Sequence, residues 1–331
     1  FAKQVTVNGG DVSIEELNFK VFTSMEKQMH TFYAEHFAEK KINVRRIAGK
    51  DRYDTALKIS EEKKKKKRPY LLIATGQNFI DGLVGGSFSS QFESPLLLVR
   101  KDSVPAGTLE EIKRIDLGEI FILGGEAAVS KNVENILKTS GYPVSRLEGK
   151  NRIETAAKIS EKRFDLSAES GLKPGGEAVV SGRNFPDALA AGPYIGIMAK
   201  KGIAFYGLNA WVPNDTVQII YDIIFGGTAV LPIGEENAKR FEGHNRYETA
   251  VMVAEAYPKD LKFTPKTIIL ASGEDYADGI TAAALAGKND AAVLLTRKNL
   301  LPIEVYDYLL ANKAVENIII VGGENAVHKD I

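Results

Sequence analysis

The chain has 331 residues, too many for one ordinary domain and enough for two or three units of roughly 100 residues, and at 44% hydrophobic it can bury real cores. Its 43 basic and 43 acidic residues cancel, so no global field draws it to nucleic acid or membrane. The absence of cysteine excludes disulfide scaffolds, cysteine nucleophiles and thiolate metal sites.

No apolar run approaches the ~18 residues that span a bilayer, and residues 1–30 lack the zones of a signal peptide. Running from Phe1 to Ile331, the sequence reads as a processed or trimmed piece whose signal peptide has been removed. Val5-Thr-Val7 is strand-like, and Ser13 with Glu16 then forms a capping-box pattern. Ile14, Leu17, Val21, Met25, Met29, Phe32, Tyr33 and Phe37 follow at helical spacing, with no Gly or Pro until Gly49. The pattern predicts one helix of about seven turns. Its apolar stripe either covers the adjoining core or docks a second polypeptide.

The phrase Arg-x-x-Gly-x-(Asp/Asn)-Arg-x-(Asp/Glu)-Thr-Ala then occurs three times, at 46–56, 146–156 and 240–250, with spacings of 146 − 46 = 100 and 240 − 146 = 94 residues. That period sets the organisation: an N-terminal segment 1–44 and three units, 45–143, 144–238 and 239–331. Each phrase opens a helix. Gly49, Gly149 and Gly243 supply the turn, and Asp51/Asp54, Asn151/Glu154 and Asn245/Glu248 make capping boxes. A buried strand leading into a small-residue loop and a helix comes next, at Tyr70–Gly76, Ala178–Gly182 and Thr267–Gly273. Second strands are expected at Pro95–Val99, Gly202–Tyr206 and Ala291–Leu295, and third strands at Ile120–Leu123, Ala229–Ile233 and Ile318–Val321. Alternating strands and helices predict parallel α/β layers with helices on both faces.

Enzyme signatures are missing. His30, His36, His244 and His328 form no His-Glu-x-x-His pair, and neither a Gly-x-Ser-x-Gly elbow nor a Walker A loop occurs, so neither a metal nor a cofactor is expected. Gly124-Gly125 and Gly322-Gly323 end strands and open helices, either as tight turns or as anion-holding N–H groups. Arg52, Arg152 and Arg246 sit just inside helix N-termini, where the macrodipole opposes positive charge, so something else holds them there. One reading is a bidentate clamp to Asp81, Asp187 and Asp278, which recur 29, 35 and 32 residues later, fixing the loop or welding one repeat to the next. The other is direct contact with an anionic ligand, with Thr55, Thr155 and Thr249 of the same phrases. Arg100-Lys101 and Arg297-Lys298 follow the second strands of copies one and three, whereas copy two has Gly207-Leu208 and would be the weaker site. The run Lys63–Lys67 with Arg68, in copy one only, is either a solvated connection or a polyanion-contacting loop.

The three arginine phrases, the strand-Gly-x-x-(Phe/Tyr)-x-Asp-(Ala/Gly) loops and Val-Gly-Gly-Glu-Asn-Ala-Val at 321–327 resemble the cell wall-binding repeat 2 family of clostridial surface proteins over about residues 45–331. The resemblance implies three tandem Rossmann-like or Toprim-like parallel-sheet units in a pseudo-threefold arrangement. It also implies an extracellular, non-catalytic surface-layer or cell wall protein held non-covalently to an anionic cell wall polysaccharide. In surface-layer members a segment like 1–44 precedes the repeats and joins a low-molecular-weight subunit, which makes Phe19, Phe22, Met29 and Phe32 the expected partner interface. Pro232-Ile-Gly234 stands where the other copies have Leu-Gly-Gly or Val-Gly-Gly, and Trp211 follows a loop without the basic pair, so copy two departs from the pattern. Two alternatives stand beside this reading: a lattice-forming scaffold held mainly by protein–protein contacts, and an α/β enzyme acting on a phosphorylated substrate.

Overall fold

A computed structural model describes residues 4–7, 10–13, 42–62, 68–168, 171–213, 219–233 and 237–331. The long helix expected after Ser13, with Phe19, Phe22, Met29 and Phe32, lies outside these described residues, as does Lys63–Lys67. Where one N-terminal strand was expected there are two, β1 (Gln4–Val7) and β2 (Gly10–Ser13), paired antiparallel.

The first unit contains β3 (Asn43–Ile47), α1 (Arg52–Glu61), β4 (Arg68–Thr75), α2 (Ile80–Gln91), β5 (Leu96–Val99), α3 (Thr108–Arg114), β6 (Leu117–Leu123) and α4 (Lys131–Lys138). The second contains β7 (Val144–Leu147), α5 (Arg152–Ser167), β8 (Pro174–Ser181), α6 (Pro186–Lys200), β9 (Phe205–Trp211) and β10 (Ile223–Phe225). The third contains β11 (Lys239–Phe241), α7 (Arg246–Ala256) with a π-helical turn (Tyr257–Leu261), β12 (Thr267–Ser272), α8 (Ala277–Asn289), β13 (Ala292–Thr296), α9 (Ile303–Ala311) and β14 (Asn317–Val321).

The helices of the arginine phrase start where the caps predict. Asp51 Oδ1 accepts the Asp54 N–H, and Asn151 and Asn245 each accept two such N–H groups. The acid three residues on reaches one residue further back than a capping box would. Asp54 and Glu154 accept the N–H of Lys50 and Lys150 at 2.9 Å, and Glu248 accepts that of His244, so each acid secures the turn as well as the helix.

Three four-stranded parallel sheets result, ordered β5-β4-β6-β7, β9-β8-β10-β11 and β13-β12-β14-β3. The fourth strand of each is the one that leads into the arginine phrase of the next unit. The series closes on itself, since β3 pairs with β14 from Asn43↔Asn317 to Ile47↔Val321. Central strands such as Leu71–Ala74 and Ile268–Ala271 are buried on both faces, which explains their unbroken apolar runs. The helices after the first strands, α2, α6 and α8, pack on one another in the middle of the molecule. Small residues permit this approach: Gly192 lies against Gly86, and Ser90 Oγ donates to the Ala283 carbonyl at 2.9 Å.

Copy two corrects several expectations. Its second strand is Phe205–Trp211 rather than 202–206, and its third is Ile223–Phe225 rather than 229–233. The glycine pair is therefore present in all three copies, at Gly226-Gly227 in copy two, and Pro232-Ile-Gly234 is not its counterpart. From the first glycine to the next arginine phrase the spacing is 146 − 124 = 22 in copy one but 240 − 226 = 14 in copy two, a shorter return that hid the alignment. The hydrogen bonds Gly76 N–H to Val99, Gly182 N–H to Trp211 and Gly273 N–H to Thr296 fix the register of the second strands. The positions matching Arg100-Lys101 are thus Val212-Pro213, not Gly207-Leu208.

A methyl group at Gly196 would lie 2.4 Å from the Ser87 carbonyl oxygen across the α2–α6 contact. Gly196→Ala is expected to lower stability by about 1–3 kcal/mol, read from denaturant unfolding.

Candidate functional site

The three units meet at a triangle of rings. Phe79, Phe185 and Tyr276, each three residues after the loop glycine, have centroids 6.0, 5.5 and 6.0 Å apart. Around this pseudo-threefold axis stand the second arginines of the phrases. Arg152 Nη1 donates to the Gly182 carbonyl at 2.7 Å, Arg52 Nη1 to that of Gly76 at 2.8 Å, and Arg246 to that of Gly273. Each arginine is thus tied to the loop of its own unit. Arg52 also stacks 5.3 Å from the Tyr276 ring and Arg246 5.9 Å from that of Phe185, so both lean on the preceding unit.

The aspartates face the arginines of neighbouring repeats, one of the two roles open to a clamp, but without its bidentate contact. Arg152 faces Asp81, Arg246 faces Asp187 and Arg52 faces Asp278, so the pairing runs between units rather than within one. It acts through space, because among the described residues no ion pair joins these arginines to these aspartates. Burial raises all three carboxyl groups, that of Asp187 to about 6; the facing arginine pulls the other way, and at Asp278 the Thr55 hydroxyl pulls the same way more strongly than Arg52. Asp278 Oδ1 is buried without a hydrogen-bond partner among the described residues. A Cβ on Gly124, Gly226 or Gly322 would meet Oδ2 of Asp81, Asp187 or Asp278, at 2.8 Å in the Gly226 case. These glycines also have φ of 95°, 123° and 109°, so the first glycine of each pair makes room for the aspartate and for the turn.

The first arginines of the phrases hold neighbouring units together. Arg46 donates to the Gly322 carbonyl at 2.8 Å, Arg146 to Gly124 at 2.7 Å and Arg240 to Gly226 at 2.8 Å. The threonines lock the turn between the two arginines: Thr55, Thr155 and Thr249 accept the N–H of Gly49, Gly149 and Gly243 at 3.0–3.1 Å.

Two clefts open at the junctions, both beyond the carboxyl ends of the strands, where parallel sheets place their ligands. One, of about 470 Å³ between units one and two, gathers Asp81, Arg152 and Thr155 with Lys101, Lys150, Gln77 and Asn78. The other, of about 600 Å³ between units three and one, gathers Asp278, Arg52 and Thr55 with Lys50, Lys298, Glu274 and Asp275. Sequence reasoning assigned no role to Lys50, Lys150 or the ring triangle, although the ring position was already visible in the loop pattern. Arg100 and Arg297 stand apart. They stack 4.5 and 5.2 Å from the Tyr53 and Tyr247 rings of their own units, and copy two, with Val212 and Ile153, has neither partner.

A family model described as "Cell wall binding domain 2" matches residues 46–134, 146–233 and 240–331. The chain belongs to this family. It is 27% identical over 296 residues to N-acetylmuramoyl-L-alanine amidase LytC of Bacillus subtilis (strain 168), covering 86% of this chain and 56% of that protein. It is 28% identical over 271 residues to the Amidase enhancer of the same organism, covering 78% and 35%. Among solved structures, Cwp8 from Clostridium difficile shares its fold with a TM-score of 0.69 at 24% identity, over 91% of this chain and 52% of that one. Cwp6 from Clostridium difficile does so with a TM-score of 0.71 at 22% identity, over 86% and 46%. The chain spans about a third to just over half the length of these relatives. Cell wall binding therefore follows from the family, and the three-unit α/β fold from both family and structure.

Arg152→Ala would strip the Gly182 carbonyl of its donor and Asp81 of its facing charge, so it is expected to cost about 1–3 kcal/mol in denaturant unfolding. The raised Asp187 carboxyl favours the folded state at low pH, and this contribution fades as pH rises from about 4 through 6. Between pH 5 and 7 the wild type should lose about 1 kcal/mol more than Asp187→Asn, measured by unfolding both at each pH.

Proposed function

We propose that this chain is a non-catalytic wall anchor of a surface-layer or related extracellular protein. Units 45–143, 144–238 and 239–331 hold an anionic cell wall polymer non-covalently at their junctions. The observation that carries this is repetition: one arrangement of arginine, aspartate, turn glycine and ring is built three times about one axis. Catalysis needs one constellation, whereas a polymer of repeating charge is served by several related ones. Arg52 and Arg152 shape the two clefts while tied to backbone carbonyls, Arg246 is tied in the same way at the third junction, and Thr55, Thr155 and Thr249 complete the turns beside them. Arg100 and Arg297 extend the basic rim. The segment 1–44, with Phe19, Phe22, Met29 and Phe32, is assigned to contact with a low-molecular-weight surface-layer subunit on the strength of the family resemblance alone.

The test is sedimentation with intact cell walls and with walls stripped of phosphodiester-linked polymer by hydrofluoric acid. The protein should pellet with the first and stay in solution with the second, and the walls should release neither peptide nor sugar ends. Retention on stripped walls would contradict the polymer reading, and released ends would contradict the non-catalytic one.

A further inference from the structure

The two clefts share a plan but not a charge. Their loops align residue for residue as Gln77-Asn78 in unit one and Glu274-Asp275 in unit three. In the one–two cleft Lys101, Lys150 and Arg152 face one lining carboxylate, Asp81, with Glu148 at the rim beside Gly125. In the three–one cleft Lys50, Arg52 and Lys298 face five: Asp51, Glu274, Asp275, Asp278 and Glu324.

Hydrogen bonding widens the difference. Arg52 donates to the Tyr276 hydroxyl at 3.1 Å and lies 3.6 Å from the Asp275 carboxylate, so its charge is partly spent inside the protein. At the equivalent positions of the sequence beside Arg152 stand Phe79 and Asn78, which offer neither a hydroxyl nor a charge. The Lys101 N–H is taken by neutral Gln77 at 2.8 Å, whereas the Lys298 N–H is taken by charged Glu274 at 3.2 Å. Lys101 and Lys150 are exposed, as Lys50 and Lys298 are, and none of the four has an ion-pair partner among the described residues, so the clefts differ in their carboxylates and not in their lysines. The helix start offers no substitute site, since Asn151 already accepts the Ile153 and Glu154 N–H groups. An anion in this cleft is therefore read by side chains.

We infer that these two clefts are unequal: an anionic polymer group binds in the cleft between units one and two in preference to the cleft between units three and one, whose carboxylates guard against it. This rests on the wall-anchor reading above. Opposed charges within contact distance attract and like ones repel, so a phosphate or carboxylate gains in the first cleft what it loses in the second.

The experiment measures binding of the full chain to purified lipoteichoic acid with a poly(glycerol phosphate) backbone, with hyaluronate as a carboxylate polymer and cell walls as reference. Lys101→Gln with Lys150→Gln should weaken binding to the anionic probe by roughly three- to tenfold, and Lys50→Gln with Lys298→Gln by less than about twofold. Glu274→Gln with Asp275→Asn, which gives the third loop the charge of the first, should strengthen binding. All these side chains are exposed, so each variant should keep the wild-type circular dichroism spectrum. Preference for one probe would assign the anion as phosphate or carboxylate. Equal losses from the two lysine pairs, no loss from the first pair, or no gain from the loop variant would overturn the assignment while leaving wall anchoring intact. Failure of the wild type to bind walls at all would overturn both.

Discussion

Each sheet is one strand short within its own unit, and the next unit supplies the missing strand. An open parallel edge is a row of unpaired N–H and C=O groups, and β7, β11 and β3 satisfy the three edges in turn. The rest of the architecture depends on that exchange. The turn after each donated strand opens a helix at the carboxyl end of the neighbour's sheet, bringing an arginine of one unit to the aspartate and ring of another. A single buried apolar cluster runs through all three units, and the small faces of α2, α6 and α8 let them close about an axis.

Much of this was legible because the repeat is written in turn and cap residues, which encode local geometry directly. Gly49, Asp51 and Asp54 specify a turn and a helix start wherever they fall, and their copies do the same. The strands β3, β7 and β11 were not legible. They are short and partly exposed, as the exposed Val44 shows, and they run directly into phrases that read as helix starts, so no apolar periodicity marks them. Copy two was misaligned because its third strand is only three residues long and its return to the next phrase is shortened.

The site was half legible for a physical reason. Spacing showed that the arginines and aspartates recur together but left open whether they fix one loop or join two repeats. The ring closure assigns each aspartate to the arginine of the following unit, and the guanidinium bonds go to glycine carbonyls instead. An arginine unfavourable at a helix N-terminus is thus offset by a carbonyl from its own loop and a buried carboxyl across the junction. Arg100 and Arg297 lie over the Tyr53 and Tyr247 rings, so packing as well as charge sets their place.

Three repeats of one plan need not make three equal sites. Packing demands the shared residues, whereas the loop positions 77–78, 183–184 and 274–275 are exposed and differ in charge from copy to copy. The most direct test of the central claim is amide chemical-shift mapping of the full chain titrated with short poly(glycerol phosphate) fragments. The account predicts perturbations concentrated at the unit junctions, led by Lys101, Lys150 and Arg152. Shifts confined to the outer faces of α4 and α9, with the junctions silent, would contradict it.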